Sequence, residues 1–144
     1  MRQSIALCLC ALAASLAGCA TPRVVVSNGG SQADITSTIT TTGGLPVRLT
    51  FTTSLNPDCT PSGSRAVVKV VQPAQHGEVE VKETQDFPNF PPFNPRAKCN
   101  SQRVPGTIVT YRPARGYVGD DAFAYETYTN TGRVIRNSIT ANVR

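Results

Sequence analysis

Apolar and polar residues alternate one by one in short runs along most of this chain. A repeat of two residues places successive side chains on opposite faces of a β-strand, so each run predicts a strand with one buried face. The runs are residues 47–52, 68–70, 78–82, 109–112, 123–126 and 139–143. Each run is bounded by Gly, Pro or Asn, and no amphipathic helical pattern follows the first 18 residues. The pattern predicts about six or seven short antiparallel strands that pack as an all-β sandwich.

Length and composition agree with one folded domain that follows a short targeting segment. The chain has 144 residues, of which 40% are apolar and 16% are charged. That apolar content is near the norm for globular proteins and argues against a disordered chain. No second long apolar run follows the one at residues 5–14, which excludes a polytopic membrane protein.

The N-terminus has the features of a secretory signal over residues 1–18. Arg2 supplies a positive charge, and residues 5–14 form an apolar stretch that is shorter than the roughly 20 residues of a membrane-spanning helix. The Leu-Ala-Gly-Cys sequence at 16–19 resembles the lipobox of bacterial lipoproteins. The resemblance implies cleavage before Cys19 and attachment of acyl chains such as palmitate to that residue. The alternative is an ordinary signal peptide with a chance cysteine.

The residue after the cysteine bears on location. Ala20 stands where, by resemblance to the sorting pattern of Gram-negative lipoproteins, a residue other than Asp implies export to the outer membrane. The pattern leaves open whether the protein faces the periplasm or the cell surface. We expect residues 19–32 to be the lipidated cysteine and a flexible tether, and residues 33–144 to be the folded domain. In the alternative, residues 23–26 pair as a short edge strand.

The cysteines predict one disulfide. Cys8 and Cys10 leave with the signal, and Cys19 is acylated, so Cys59 and Cys99 remain. Two cysteines in an oxidising envelope compartment are expected to pair. The bond closes a loop of about 40 residues, which stabilises a fold by about 4 kcal/mol in the chain-entropy model.

The second half of the chain carries a composite motif. It consists of Pro-Ala-Gln-His-Gly-Glu-Val at 73–79, Tyr-Arg-Pro at 111–113 and Gly-Tyr-Val-Gly-Asp-Asp-Ala-Phe-Ala-Tyr at 116–125. In this order the segments resemble the bacterial Ig-like and cadherin-like repeats of large surface proteins. The resemblance implies an immunoglobulin-like antiparallel β-sandwich. Because glycine is favoured in tight turns, we also expect His76-Gly77 to join two strands as a tight turn.

One segment, residues 86–106, breaks the rhythm of the strands. Its Phe-Pro-Asn-Phe-Pro-Pro-Phe-Asn-Pro sequence at 87–95 contains too much proline for a central strand and predicts a long loop. The phenylalanines recur every three residues, the polyproline period, which places them on one side. The candidate partner-binding residues are Phe87, Phe90, Phe93, Arg96, Lys98 and Arg103. In the alternative, the loop folds over a sheet edge, is held there by Cys99, and blocks edge-to-edge association.

Few residues suit catalysis or metal binding. His76 is the only histidine and lies in a predicted turn, and Glu78 and Glu80 fall on a solvated strand face. We expect one carboxylate of Asp120 and Asp121 to cap the turn through backbone N–H groups, with a weak calcium site as the alternative. The sequence therefore predicts no enzyme activity, no metal site and no cofactor.

The charge indicates which partners suit the exported protein. Removal of residues 1–18 leaves a net charge of about +4, for which the relevant anions are envelope lipids and glycans rather than nucleic acid. The sequence predicts a lipid-anchored, non-enzymatic envelope module that binds or supports another envelope protein or glycan through the Phe/Pro loop. The alternatives are an accessory lipoprotein of a secretion or surface-assembly system and a small carbohydrate-binding or hydrolytic domain.

Overall fold

The structure, a computed structural model, describes residues 23–25 and 32–144. It contains eight strands and one short 3₁₀ helix, Ala97–Ser101. The strands are β1 (Arg23–Val25), β2 (Gln32–Thr41), β3 (Val47–Thr52), β4 (Val67–Gln72), β5 (Gly77–Asp86), β6 (Val104–Pro113), β7 (Gly119–Tyr128) and β8 (Val134–Val143). Within this part of the chain, no helix has the length and apolar character needed to cross a membrane.

The strands form two sheets that pack face to face. The five-stranded sheet has the order β1-β2-β8-β7-β4, and the three-stranded sheet has the order β3-β6-β5. Buried side chains from both sheets form one core, which consists of Val109, Tyr111, Phe123, Tyr125, Ile139 and Ala141. The rings of Tyr111 in β6 and Phe123 in β7 stack between the sheets with their centroids 4.6 Å apart. The predicted all-β sandwich is confirmed.

One strand pair is parallel, which corrects the expectation of antiparallel strands throughout. β2 lies beside β8 in parallel register from Gln32↔Val134 to Thr41↔Val143. Alternation did not reveal β2 because its more buried face mixes apolar residues with Ser37 and Thr41, which interrupts the apolar repeat. The period of a strand also carries no information about the direction of its neighbour.

The segment before β2 contains a short edge strand, β1, at residues 23–25. This agrees with the alternative in which residues 23–26 pair as a strand instead of forming part of a flexible tether. β1 pairs antiparallel with β2, with Arg23 opposite Thr36 and Val25 opposite Asp34. The predicted signal peptide, residues 1–18, and the predicted lipidation site, Cys19, lie outside the described residues. The structure therefore describes only part of the predicted 19–32 segment.

The sequence predicted that His76-Gly77 forms a tight turn between two strands, and this prediction is wrong because the two strands that it joins do not pair with each other. β4 belongs to the five-stranded sheet and β5 to the three-stranded sheet, so residues 73–76 carry the chain from one sheet to the other. The Cβ of any other residue at Gly77 would lie 2.7 Å from the Tyr111 ring and from the Arg112 carbonyl oxygen. Gly77 is therefore required for close approach to β6 rather than for a tight turn.

Candidate functional site

The predicted Phe/Pro loop is part of a small folded unit. Residues 87–103 pack against residues 54–61, and we call these two segments together the lobe. A disulfide joins Cys59 to Cys99 across the lobe, with their Cα atoms 5.5 Å apart. The disulfide expected from the cysteine count is present in the structure.

The lobe has its own apolar core, separate from that of the sandwich. Leu55, Cys99 and Val104 are buried, and Phe51 and Phe90 pack against them. Because Phe51 belongs to β3, this core attaches the lobe to the three-stranded sheet. Phe90 therefore stabilises the lobe and does not lie free on its surface.

Asn100 holds the backbone of the Phe/Pro segment. Its side-chain oxygen accepts a 2.9 Å hydrogen bond from the Phe90 N–H, and its side-chain amide donates a 2.9 Å hydrogen bond to the Phe90 carbonyl. The Asn100 side chain thus forms the two hydrogen bonds that a neighbouring strand would otherwise form with the backbone of Phe90. Asn100 was not among the residues singled out from the sequence, because a single asparagine beside a cysteine carries no distinguishing pattern.

Two of the three candidate basic residues donate hydrogen bonds to backbone carbonyls, one within the lobe and one in β5. Arg96 donates a hydrogen bond from Nε to the Leu55 carbonyl, and Arg103 donates from Nε and Nη2 to the Gln85 carbonyl, at 3.2 and 2.7 Å. Lys98 is exposed in the 3₁₀ helix. The structure therefore does not bring Arg96, Lys98 and Arg103 together as one free basic patch.

The three phenylalanines do not share one side. Phe93 is 89% exposed and Phe87 is 48% exposed, whereas Phe90 packs into the lobe core. The polyproline period ends at a turn in which the Asn94 N–H donates to the Pro91 carbonyl at 2.9 Å. The expectation that the three phenylalanines lie on one side of the segment is wrong. The alternative, in which the loop folds back over the sheet, describes Phe90 but not the exposed Phe93.

A cleft runs between the lobe and the edge strand β3. It has a volume of about 630 Å³ and is lined by residues 48–53 and 87–90. Arg48 forms an ion pair of 2.7 Å with Asp86 and lies 5.5 Å from the Phe51 ring centroid. Arg48 thereby fixes the start of the Phe/Pro segment against the free edge of the sheet.

At the other end of the sandwich, Asp121 is buried and accepts four hydrogen bonds. They come from the N–H groups of Gln75, His76 and Ala122, at 2.9 to 3.0 Å, and from the Tyr111 hydroxyl at 2.9 Å. Burial has the largest single influence and raises the pKa of Asp121, but the hydrogen bonds together bring this pKa below its ordinary value. Burial, with the neighbouring Asp121 carboxylate, raises the pKa of Tyr111.

The other candidate side chains near Asp121 are also accounted for. Asp120 accepts a 2.7 Å hydrogen bond from Asn142, and Glu78 and Glu80 are exposed. His76 stacks on Tyr117, with ring centroids 4.2 Å apart and planes 7° apart. Across residues 23–25 and 32–144, no group of three His, Cys, Asp or Glu side chains is placed to hold a metal ion.

Comparisons with known proteins found no family model and no curated protein that matches this chain.

Proposed function

We propose that this chain is a lipid-anchored, non-enzymatic protein of the bacterial cell envelope that binds another envelope protein through its lobe. The observation that carries the proposal is Phe93, an aromatic side chain that is 89% exposed on a covalently closed unit. Exposed aromatic residues are enriched at protein interfaces, where they bury a large area at little conformational cost. Phe87 and Lys98 add a second apolar contact and a positive charge to the same unit.

The lobe is suited to binding because its exposed residues are held by an ordered base. The disulfide, the Asn100 bonds to Phe90 and the Arg96 bond to Leu55 restrain the segment on both sides of Phe93. A partner that meets a restrained segment pays little entropy for ordering it. A protein partner with an apolar pocket fits this surface better than a glycan, because Phe90 is packed inside and only Phe93 offers a fully open ring.

We also propose that the sandwich is Ig-like. The order β2-β8-β7-β4 opposite β3-β6-β5, with β2 parallel to the last strand, supports this assignment. The motif segments that resemble the Ig-like and cadherin-like repeats supply the crossing from β4 to β5, the end of β6 and the start of β7. Asp121 then joins these three segments through its hydrogen bonds.

The lipid anchor and the outer-membrane location rest on the sequence at 16–20. If Cys19 carries the acyl chains, only three residues lie between the anchor and Arg23, the first residue of β1, so the four Cα–Cα steps reach at most about 14 Å. The β1 edge of the sandwich then stays close to the bilayer. Incorporation of labelled palmitate tests the lipid anchor. We expect Cys19→Ser to remove the label and Cys8→Ser, the matched control, to retain it. Label that persists in Cys19→Ser would contradict the anchor.

Site-specific photo-crosslinking in cells tests the lobe as a binding surface. A photoreactive residue is placed at position 93 of the full-length chain and, as a matched control, at position 118, where the natural Val118 is 72% exposed. The proposal predicts one discrete protein adduct from position 93 that position 118 does not give. Equal adducts from both positions, or none from position 93 in folded and abundant protein, contradict it.

A further inference from the structure

A second concave surface lies at the end of the sandwich away from the lobe. The lobe adjoins the Val104 end of β6, whereas this surface lies around Pro113 at the other end of the strand. Its volume of about 510 Å³ is within the range of ordinary small-molecule sites. We call it the end cleft, and the residues that matter for its chemistry are His76, Glu78, Arg112, Arg115 and Tyr117.

Two arginines give the end cleft its positive charge. Arg112 and Arg115 are both exposed. Over residues 32–144 the ion pairs involve Arg48, Arg65 and Arg136, and neither of the two cleft arginines. Among the described residues, neither guanidinium group has a side-chain hydrogen bond or ion pair, so the donors of both are available, and guanidinium geometry matches carboxylate and phosphate through paired hydrogen bonds.

An aromatic pair borders the cleft and is fixed in place without a ligand. His76 and Tyr117 stack with centroids 4.2 Å apart. The Tyr117 hydroxyl donates to the Asp120 carbonyl at 2.7 Å and holds the Tyr117 ring. The backbone of His76 is held by its N–H bond to the Asp121 carboxylate at 3.0 Å and by the Ala114 N–H, which donates to the His76 carbonyl at 2.8 Å. Because the imidazole stacks on a held tyrosine ring, a ligand that packs on the pair loses little binding energy to its restraint.

From this combination we infer that the end cleft binds an acidic sugar, one hydroxylated ring that carries a carboxylate or phosphate group. Arg112 and Arg115 receive the acidic group, and the His76–Tyr117 pair offers a flat surface to the C–H face of the ring. Glu78 accepts hydrogen bonds from the ring hydroxyls. The volume of the end cleft suits a ligand of about one monosaccharide. The inference is independent of the lobe and of the lipid anchor.

The imidazole of His76 is a convenient reporter because the chain contains a single histidine. We would follow its ring proton and carbon signals by NMR at constant pH, in protein purified from the full-length chain. The probes are glucuronic acid, glucose 6-phosphate, glucose and inorganic phosphate. We expect both acidic sugars to shift the signals to saturation, with glucose and phosphate each at least tenfold weaker.

Arginine variants identify the residues responsible. Arg112→Ala and Arg115→Ala are each expected to weaken acidic-sugar binding roughly tenfold, the effect of losing a charge-assisted hydrogen bond. Arg133→Ala is the matched control, because Arg133 is an exposed arginine in the β7–β8 turn at the opposite end of the sandwich. No shift with either acidic sugar overturns the inference, as does an equal shift with glucose or with phosphate. An equal loss in Arg133→Ala overturns it as well.

Discussion

The hydroxyl of Tyr111 in β6 donates a buried 2.9 Å hydrogen bond to Oδ2 of Asp121 in β7. Because β6 and β7 belong to different sheets, this hydrogen bond links the two sheets of the sandwich. The same carboxylate accepts the N–H groups of Gln75 and His76 in the segment that crosses between the sheets. Both carboxylate oxygens are thus used to hold β6, β7 and the β4–β5 crossing together. Asp121 is a structural residue at the centre of this end of the molecule.

Replacement of Asp121 is expected to destabilise the protein. Asp121→Asn places an amide N–H₂ group among donors and should cost about 3 kcal/mol of unfolding free energy. Asp120→Asn is the matched control, since the neighbouring Asp120 is exposed and the change should cost under about 0.5 kcal/mol. Chemical denaturation measures both values, and equal effects of the two substitutions would contradict the role assigned to Asp121.

The same carboxylate makes stability depend on pH. The folded state lowers the pKa of Asp121, so the unfolded chain binds this proton more tightly than the folded chain does. The stabilisation is therefore fully present above the ordinary carboxyl pKa of about 3.9 and is lost as pH falls through the folded pKa. A melting-temperature series below pH 5 should fall more steeply for the wild type than for Asp121→Asn, and parallel curves would refute the assignment.

Removal of the Tyr111 hydroxyl tests its bond to Asp121. Tyr111→Phe should cost about 1 to 2 kcal/mol because it removes one hydrogen bond to a buried carboxylate. Tyr128→Phe is the control, since the Tyr128 hydroxyl donates to Glu126 at 2.6 Å on an exposed surface and its loss should cost under about 0.5 kcal/mol. In a double-mutant cycle, the Tyr111→Phe and Asp121→Asn effects should be clearly non-additive, and strict additivity would mean that they do not interact.

Gly106 in β6 admits no side chain. A Cβ at this position would lie 2.5 Å from Cζ of Phe51 and 2.6 Å from the Thr52 carbonyl oxygen, and the second of these is backbone that cannot move aside. Gly106→Ala should therefore cost about 1 to 3 kcal/mol through overpacking. Gly63→Ala is the control because nothing lies within 4 Å of its Cβ, and its melting temperature should match or slightly exceed that of the wild type. Equal melting temperatures for the two variants would contradict the packing described.

Loss of the disulfide should destabilise the lobe and the whole domain. Cys99→Ser opens a link between residues 40 apart in sequence, worth about 4 kcal/mol in the chain-entropy model. Cys59→Ser should also lose the whole bond and unfold at a lower denaturant concentration than the wild type, and Cys99→Ser should be lower still because it places a hydroxyl in the buried lobe core. An unfolding curve of Cys99→Ser equal to that of the wild type would contradict the predicted contribution of the disulfide.

The sequence predicted the features that depend on local pattern. Alternation at Val109, Tyr111, Phe123 and Tyr125 identified the inward faces of β6 and β7, and the cysteine count identified the disulfide. A two-residue period determines which side chains share a face. It contains no information about which strand lies alongside, and for that reason the parallel β2–β8 pair was missed.

Contacts between segments distant in sequence explain the remaining differences. The spacing of Phe87, Phe90 and Phe93 suggested one stripe, but Phe90 packs against Leu55 and Cys99, which local spacing cannot reveal. The role of Asn100 was invisible for the same reason, because its partner is the backbone of a residue ten positions earlier. One of Asp120 and Asp121 was expected to accept backbone N–H groups at a turn; Asp121 accepts such groups, and it also joins the two sheets through Tyr111.

Phe93 is proposed as the residue through which the lobe contacts its partner. In the most direct measurement, the photoreactive residue replaces the exposed Lys98 of the same lobe. The yield of the adduct is then compared between two proteins, one with the natural Phe93 and one with Phe93→Ser. Val118→Ser is the matched control, because both substitutions remove exposed apolar side chains and neither should change the melting temperature. We expect Phe93→Ser to abolish the adduct and Val118→Ser to retain it. An adduct of undiminished yield in Phe93→Ser would contradict the role proposed for Phe93.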